Sequence, residues 1–305
     1  MIIGHIMGGL GNQLFQIFMV ISLAMDNHID FYFPDREQLC SIRRAYWNTF
    51  LSSLRPYLKS NDFLQNNVTN VIKEETFKYT HYSISSNENL YFVGYFQSYK
   101  YFERNYQAIY ELLNIHQQKR QLLEKISYFN ILKNPSKLCD EFSFDDDIKL
   151  YDNVISMHFR LGDYKKIQQC HPLIPSTYYL NCLKYIFEEI VKTNDAHLDV
   201  CKILYFCENN LEDIKIVSDI IKQIQIKYPN LEFERQTGLD DWEEVLLMSI
   251  CKHNIIANSS FSWWGAYFND NKNKIVTYPS VWFGDGLSRN DVSDMCPTNW
   301  TKIEA

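Results

Sequence analysis

Arg160 stands in the run His158-Phe159-Arg160-Leu161-Gly162-Asp163-Tyr164, directly after an apolar stretch that begins near Asn153. A guanidinium at the end of a strand can hold a diphosphate through two parallel N–H···O bonds, with a charge that does not titrate away. Gly162 lets the chain turn beside it. Three roles are open to Asp163: orienting His158, orienting Arg160, or acting as a general base. The plain alternative is a salt bridge at an ordinary strand-to-loop junction.

Two further runs carry residue types suited to the same chemistry. Gly8-Gly9-Leu10-Gly11-Asn12-Gln13 is a glycine-rich turn before an apolar segment. Such a turn brings backbone N–H groups close to a ligand at a helix N-terminus. Gly9 and Gly11 fit a G-x-G-x-x-G pattern, but Leu14 takes the third glycine's place. The second run is Asn258-Ser259-Ser260-Phe261-Ser262-Trp263-Trp264-Gly265. Hydroxyls at a strand-to-helix junction cap the helix or, with its first N–H groups, bind phosphate oxygens.

The elements that must position these runs read as α/β. Ile2 to Met7 reads as a strand, Leu14 to Met25 as a buried helix and Asp30 to Pro34 as a strand. Residues 35–90 read as helical pieces joined by loops, followed by a strand over Asn89 to Gln97 and a helix over Arg104 to Tyr128. The acidic stretch Phe142 to Leu150 reads as a connector, which divides the chain into domains 1–148 and 149–305. Beyond it, strands at 153–159, 202–207, 231–235, 254–257 and 274–278 alternate with helices. That alternation predicts a parallel, doubly wound sheet, whose ligands sit at the carboxyl ends of strands. The candidate runs follow Met7, Phe159, Cys207 and Ala257, all predicted strand ends.

Bulk composition excludes several classes. Of 305 residues, 46% are apolar and 22% charged, with a net charge of −7. No basic face of the kind nucleic-acid binders use is implied. The eight cysteines contain no C-x-x-C pair and read as free thiols of a reducing compartment. No stretch near 20 apolar residues predicts a membrane span.

At these residues the chain resembles glycosyltransferase family 11, the α-1,2-fucosyltransferases. G-G-x-G-N-Q, H-x-R-x-G-D-Y and N-S-S-x-S-W-W-G follow one another in the family's order. Gly94-Tyr95-Phe96-Gln97-Ser98, Leu247-Met248-Ser249 and Pro279-Ser280-x-Trp282-Phe283 resemble it too. The resemblance implies a GT-B-like fold of two Rossmann-like domains with a cleft between them. It implies inverting transfer of L-fucose from GDP-β-L-fucose to the 2-hydroxyl of a galactose-terminated oligosaccharide or glycolipid. It implies no metal and no cofactor besides the donor. By the resemblance Arg160, His158 and Asp163 are the catalytic set. Arg160, His158, Ser259 and Ser260 hold the donor, together with Asn258, Gly9, Gly11 and Asn12. Glu244 binds guanine, while Gln13, Tyr95, Gln97 and Trp263 lie toward the acceptor. The implied setting is cytoplasmic, with loose association at the membrane face.

Two positions depart from the family pattern. Leu161 replaces a second arginine, removing one positive charge beside the donor, for which Lys165 is a substitute. Glu244 stands where the family more usually has aspartate. Rival readings are a metal-dependent transferase using Asp145-x-Asp147, an NAD-dependent oxidoreductase using the Gly9/Gly11 loop, a fucosyltransferase of another linkage, and a carbohydrate-binding protein without catalysis.

Overall fold

A computed structural model describes residues 1–85, 88–133, 151–192 and 202–305, with backbone alone for 128–133. The chain forms two compact units. One comprises Met1–Gln118 and Arg289–Pro297, the other Lys119–Ser288 and Thr298–Ala305. The sequence expectation placed the division at 148/149; it falls at 118/119, and residues 289–297 return to the first unit. Side-chain anchoring accounts for this. Gln118 donates to the Phe50 carbonyl at 3.1 Å. Lys119, one residue on, pairs with Asp270 at 2.7 Å, and Lys125 donates to Glu243 at 2.6 Å. Ser98 Oγ donates to the Asp294 carbonyl at 2.7 Å, tying the returning segment to the first unit.

In the first unit the elements are β1 (Ile2–Gly4), α1 (Leu10–Asn27), β2 (Phe31–Pro34), β3 (Gln38–Cys40), β4 (Arg43–Arg44), β5 (Leu58–Lys59), α2 (Asn61–Asn67), β6 (Asn70–Lys73), β7 (Leu90–Val93) and α3 (Tyr106–Leu112). Helix α4 (Ile115–Lys133) carries the boundary. The single helix expected over 104–128 is broken at Asn114, whose φ of 53° is left-handed. Among the described residues the main sheet has the order β5-β2-β1-β7-β6, all neighbours parallel. Among the described residues, 35–90 thus hold four short strands besides helix, a correction to the expected helical pieces. β3 and β6 lie largely exposed, so neither shows the apolar alternation that marks a half-buried strand.

The second unit runs β8 (Val154–His158), α5 (Ser176–Lys192), β9 (Lys202–Phe206), α6 (Leu211–Lys227), β10 (Glu232–Arg235), α7 (Asp241–Met248), β11 (His253–Ile255), α8 (Ser260–Tyr267), β12 (Val276–Pro279) and β13 (Thr301–Ile303). Its described strands, all parallel, are ordered β10-β9-β8-β11-β12-β13. In chain order that is 3-2-1-4-5-6, the dinucleotide-fold order, with its reversal between β8 and β11. A sixth strand, β13, follows the one expected to be last. β8 is buried along its whole length, as a central strand covered on both faces must be. Ile155 and Met157 on it join Tyr178, Tyr179 and Ile203 in one core.

The fold class is α/β and GT-B-like, with a Rossmann-like sheet in each unit. No described helix is long and apolar enough to cross a membrane. The six described cysteines are free; Cys139 and Cys201 lie outside the described residues, as does Asp145-x-Asp147.

Candidate active site

Strand register brings the key residues of the second unit to one level. His158 pairs with Phe206 and Met157 with Ile255. Counting on from those pairs puts Arg160 level with Glu208 on one side and Asn258 on the other. All three follow the carboxyl ends of adjacent strands at the topological reversal, where ligands of such sheets bind.

Arg160 is held in this position from several directions. Its guanidinium bonds Glu208 and Asp163 and lies 4.6 Å from the centre of the Tyr164 ring. Burial works against its charge, and Glu208, Tyr164 and Asp163 together more than offset that. Glu208 also accepts from the Leu161 N–H at 3.3 Å. Gly162 is required beneath it: its φ is +42°, and a Cβ there would come within 2.8 Å of Glu208 Oε1. The Gly162 N–H donates to Asp213 at 3.1 Å. Burial alone would raise the Asp213 pKa, but Lys165, Asn210 and the Gly162 N–H hold it below the ordinary range.

The neighbouring strand end supplies a helix N-terminus. Ser259 caps α8, its hydroxyl accepting from the Phe261 N–H at 3.3 Å. Such a cap is worth about 1 kcal/mol. Ser260 opens the helix and is partly exposed. Unsatisfied N–H groups at a helix start attract anions. Asn258 is buried, its amide donating to the Pro172 carbonyl at 2.9 Å, while its Oδ1 is buried without a hydrogen-bond partner. Two side chains join this turn to the Arg160 loop. Tyr164 Oη donates to the Asn258 carbonyl at 3.2 Å, and His158 Nδ1 lies 2.9 Å from Ser262 Oγ.

Glu244, on α7, is partly buried. Burial, with help from the charge of Asp241, raises its pKa to about 8. Its neighbour Glu243 is spent on the helix itself, closing a capping box with Asp240 and pairing with Lys125.

In the first unit, Gly8 turns the chain at φ +80° and α1 begins at Leu10. Gly9 is the N-cap with ordinary φ of −77°. Gly11 lies inside the helix and is buried, so it is no loop glycine. Asn12 Oδ1 accepts from Gln97 Nε2 at 2.8 Å, joining the first turn of α1 to the turn after β7. The 94–97 turn is pinned by Glu74, whose carboxylate accepts from the Tyr95 and Phe96 N–H groups at 2.6 and 2.9 Å.

The family model of Glycosyl transferase family 11 matches residues 5–304. The chain belongs to that family. It is similar to an α-1,2-colitosyltransferase of Escherichia coli, 25% identical over 99% of each chain. It is also similar to the O-antigen biosynthesis glycosyltransferase WbnK of Escherichia coli, 29% identical over 54% of this chain and 51% of the relative. Among solved structures, the α-1,6-fucosyltransferase NodZ with GDP aligns over 87% of this chain and 91% of its own, at 10% identity and TM-score 0.42. POFUT1 in complex with GDP aligns over 91% and 97%, at 12% identity and TM-score 0.45.

The family 11 motif residues therefore divide by position. Arg160, Asp163, Asn258, Ser259 and Ser260 gather at the β8 and β11 ends, and Gly9, Asn12, Tyr95 and Gln97 gather at the β1 and β7 ends of the other unit. Among the buried expected residues, three are taken up by packing or by backbone contacts. His158 is buried, and burial with the Arg160 charge pushes its pKa down to about 3; its Nδ1 lies against Ser262 Oγ, which ties strand to helix. Trp263 is fully buried against Trp264, Tyr267 and Trp300, a core residue and not an acceptor contact. Gln13 is fully buried and donates to the Gly8 and Arg44 carbonyls at 3.1 and 2.8 Å, stapling the loop. Leu161 is buried in the core of its unit, and Lys165 does not substitute for the missing charge, because it pairs with Glu212 and Asp213. Sequence reasoning missed Glu208 and His171. The strand end after Cys207 marked the first; nothing marked His171, which stacks on Tyr164 at 4.5 Å.

Proposed function

We propose that this family 11 chain transfers L-fucose from GDP-β-L-fucose to the 2-hydroxyl of a terminal β-galactoside, inverting the anomeric carbon without a metal ion. One observation carries the reading: Arg160 and the start of α8 follow adjacent strands at the reversal of the second sheet. A guanidinium and a row of N–H groups there suit the diphosphate of a nucleotide sugar.

The acceptor hydroxyl forms a bond to the anomeric carbon as the bond from that carbon to the β-phosphate oxygen breaks. The electron pair leaves with GDP, and the hydroxyl proton passes to a base. Negative charge grows on the β-phosphate, where Arg160, the Ser260 hydroxyl and the α8 N–H groups meet it. Losing one such donor costs about 3–4 kcal/mol in barrier. Asp163 is the base, and becomes available when the diphosphate takes its place on Arg160. Glu244 accepts from the N–H edge of guanine. Asn12 and Gln97, with Tyr95, serve the acceptor side. The acceptor is a galactose-terminated oligosaccharide or glycolipid, met at the cytoplasmic face of a membrane; free thiols fit that compartment.

The similarity to an α-1,2-colitosyltransferase along the whole chain favours a second reading, in which the transferred sugar is colitose, the 3-deoxy counterpart of L-fucose. Transfer assays with GDP-fucose and GDP-colitose, each with a β-galactoside acceptor and with EDTA present, separate the two. Fucosyl product with a 2-linkage by NMR supports the first reading, and colitosyl product alone replaces it. Arg160→Ala should abolish transfer from either donor while the circular dichroism spectrum stays unchanged.

A further inference from the structure

We infer that the first unit binds an acidic sugar of the acceptor glycan in a pocket of its own, with the sugar's carboxylate on Arg36. The inference rests on the reading of this chain as a glycan-directed transferase. A cavity of about 480 Å³ opens at the carboxyl ends of β1 and β2 beside α2, within the range of roughly 300–1,000 Å³ typical of small-molecule sites. Gly8 of the glycine-rich loop forms part of its wall, so the cavity adjoins a family motif without using the motif's side chains.

The wall has the mixed chemistry that a pyranose needs. Apolar side chains such as Leu64 offer a surface for the C–H face of a ring. Hydroxyl-reading groups face the same space: His5 Nδ1 lies 2.9 Å from Tyr91 Oη, and Gln65 presents a carboxamide. Among the described residues, Arg36 is the one charged side chain on the wall. Its backbone N–H donates to the Pro34 carbonyl, but its guanidinium has no ion-pair or hydrogen-bond partner among the described residues. Its charge reaches His5, which burial and Arg36 together hold below the ordinary imidazole pKa. The cavity mouth therefore presents an exposed guanidinium beside the His5–Tyr91 pair. A small inorganic anion would have no use for the apolar wall, and a neutral sugar would make no ionic contact with the Arg36 guanidinium at its mouth. A carboxylate-bearing hexose satisfies both.

Calorimetric titration tests this on the full chain, with Galβ1-4GlcA and lactose as probes and sodium acetate as the anion control. The acidic disaccharide should bind at least about tenfold tighter than lactose, a difference of about 1.4 kcal/mol, and tighter than acetate. Arg36→Gln should reduce it to the level of lactose, while Arg36→Lys keeps part of the preference and GDP binding is unchanged in both. Equal affinity for the two disaccharides, acetate binding as tightly as Galβ1-4GlcA, or a preference that survives Arg36→Gln would overturn the inference. GDP binding separates the two failures: loss of the acid preference with GDP still bound sinks the pocket alone, and a chain that binds neither GDP nor GDP-sugar sinks the transferase reading on which it rests.

Discussion

Tyr164 donates its hydroxyl to the Asn258 carbonyl at 3.2 Å, and the same ring carries the Arg160 guanidinium and stacks with His171. One side chain thus joins the cation after β8 to the turn that starts α8. The bond links the two halves of the proposed anion site. Tyr164→Phe keeps the ring and removes the bond. The loss should be near 1 kcal/mol, seen as a melting temperature lower by about 2–4 °C. Donor KM should rise about fivefold, the kinetic equivalent of that energy, with kcat little changed. A large fall in kcat at unchanged KM would remove Tyr164 from the donor site.

Arg160 meets two carboxylates before any ligand arrives. A diphosphate must displace one, and Asp163, with its side chain 54% exposed against 24% for Glu208, is the more exposed of the two. Asp163→Asn should therefore tighten GDP binding by removing a competitor for the guanidinium. If Asp163 is also the base, the same variant loses kcat by the factor of about 10²–10⁴ that general-base removal produces. Isothermal titration of GDP and steady-state kcat, read side by side, separate a neutralising partner from a base.

Glu244 should make donor binding depend on pH. Guanine offers two adjacent N–H donors, which an ionised carboxylate accepts with both oxygens and a protonated one with its carbonyl oxygen alone. With its pKa raised to about 8, the group is mostly protonated at pH 7 and must lose a proton to make both bonds. GDP affinity should rise as pH increases toward 8 and level off above it, at most about tenfold per unit. Calorimetry in buffers of different ionisation enthalpy should record close to one proton released at pH 7. Glu244→Gln should bind GDP more weakly and without that slope.

The parallel sheets and the strand-end position of Arg160, Ser259 and Ser260 were legible because a buried parallel strand is an unbroken apolar run, as in Val154 to Phe159. The partner of Arg160 was not: Glu208 lies 48 residues on, and register alone makes it level with Arg160. Residue type also misled at Gln13 and Trp263. A polar amide and a tryptophan beside a motif suggest a ligand contact, yet the first staples backbone carbonyls and the second fills the core. The domain division went astray because an acidic stretch resembles a linker, while the division depends on where Gln118 and Lys119 are anchored.

His158 should show itself in stability, not in the acid–base profile of turnover. Buried and bonded to Ser262, it stays neutral in the folded chain down to about pH 3. In the unfolded chain the same imidazole takes up a proton near its ordinary value of about 6.5. Between those limits the unfolded state binds more protons, so stability falls as pH drops below 6.5, by at most about 1.4 kcal/mol per unit from this group. Above 6.5 both states are neutral and the contribution is level. His158→Asn, whose amide can still reach Ser262, should fold and should flatten the pH dependence of urea unfolding between pH 4 and 6 by close to one proton. An unaltered slope in that variant would show that His158 is exposed and titrates normally, and would return it to the list of acid–base candidates.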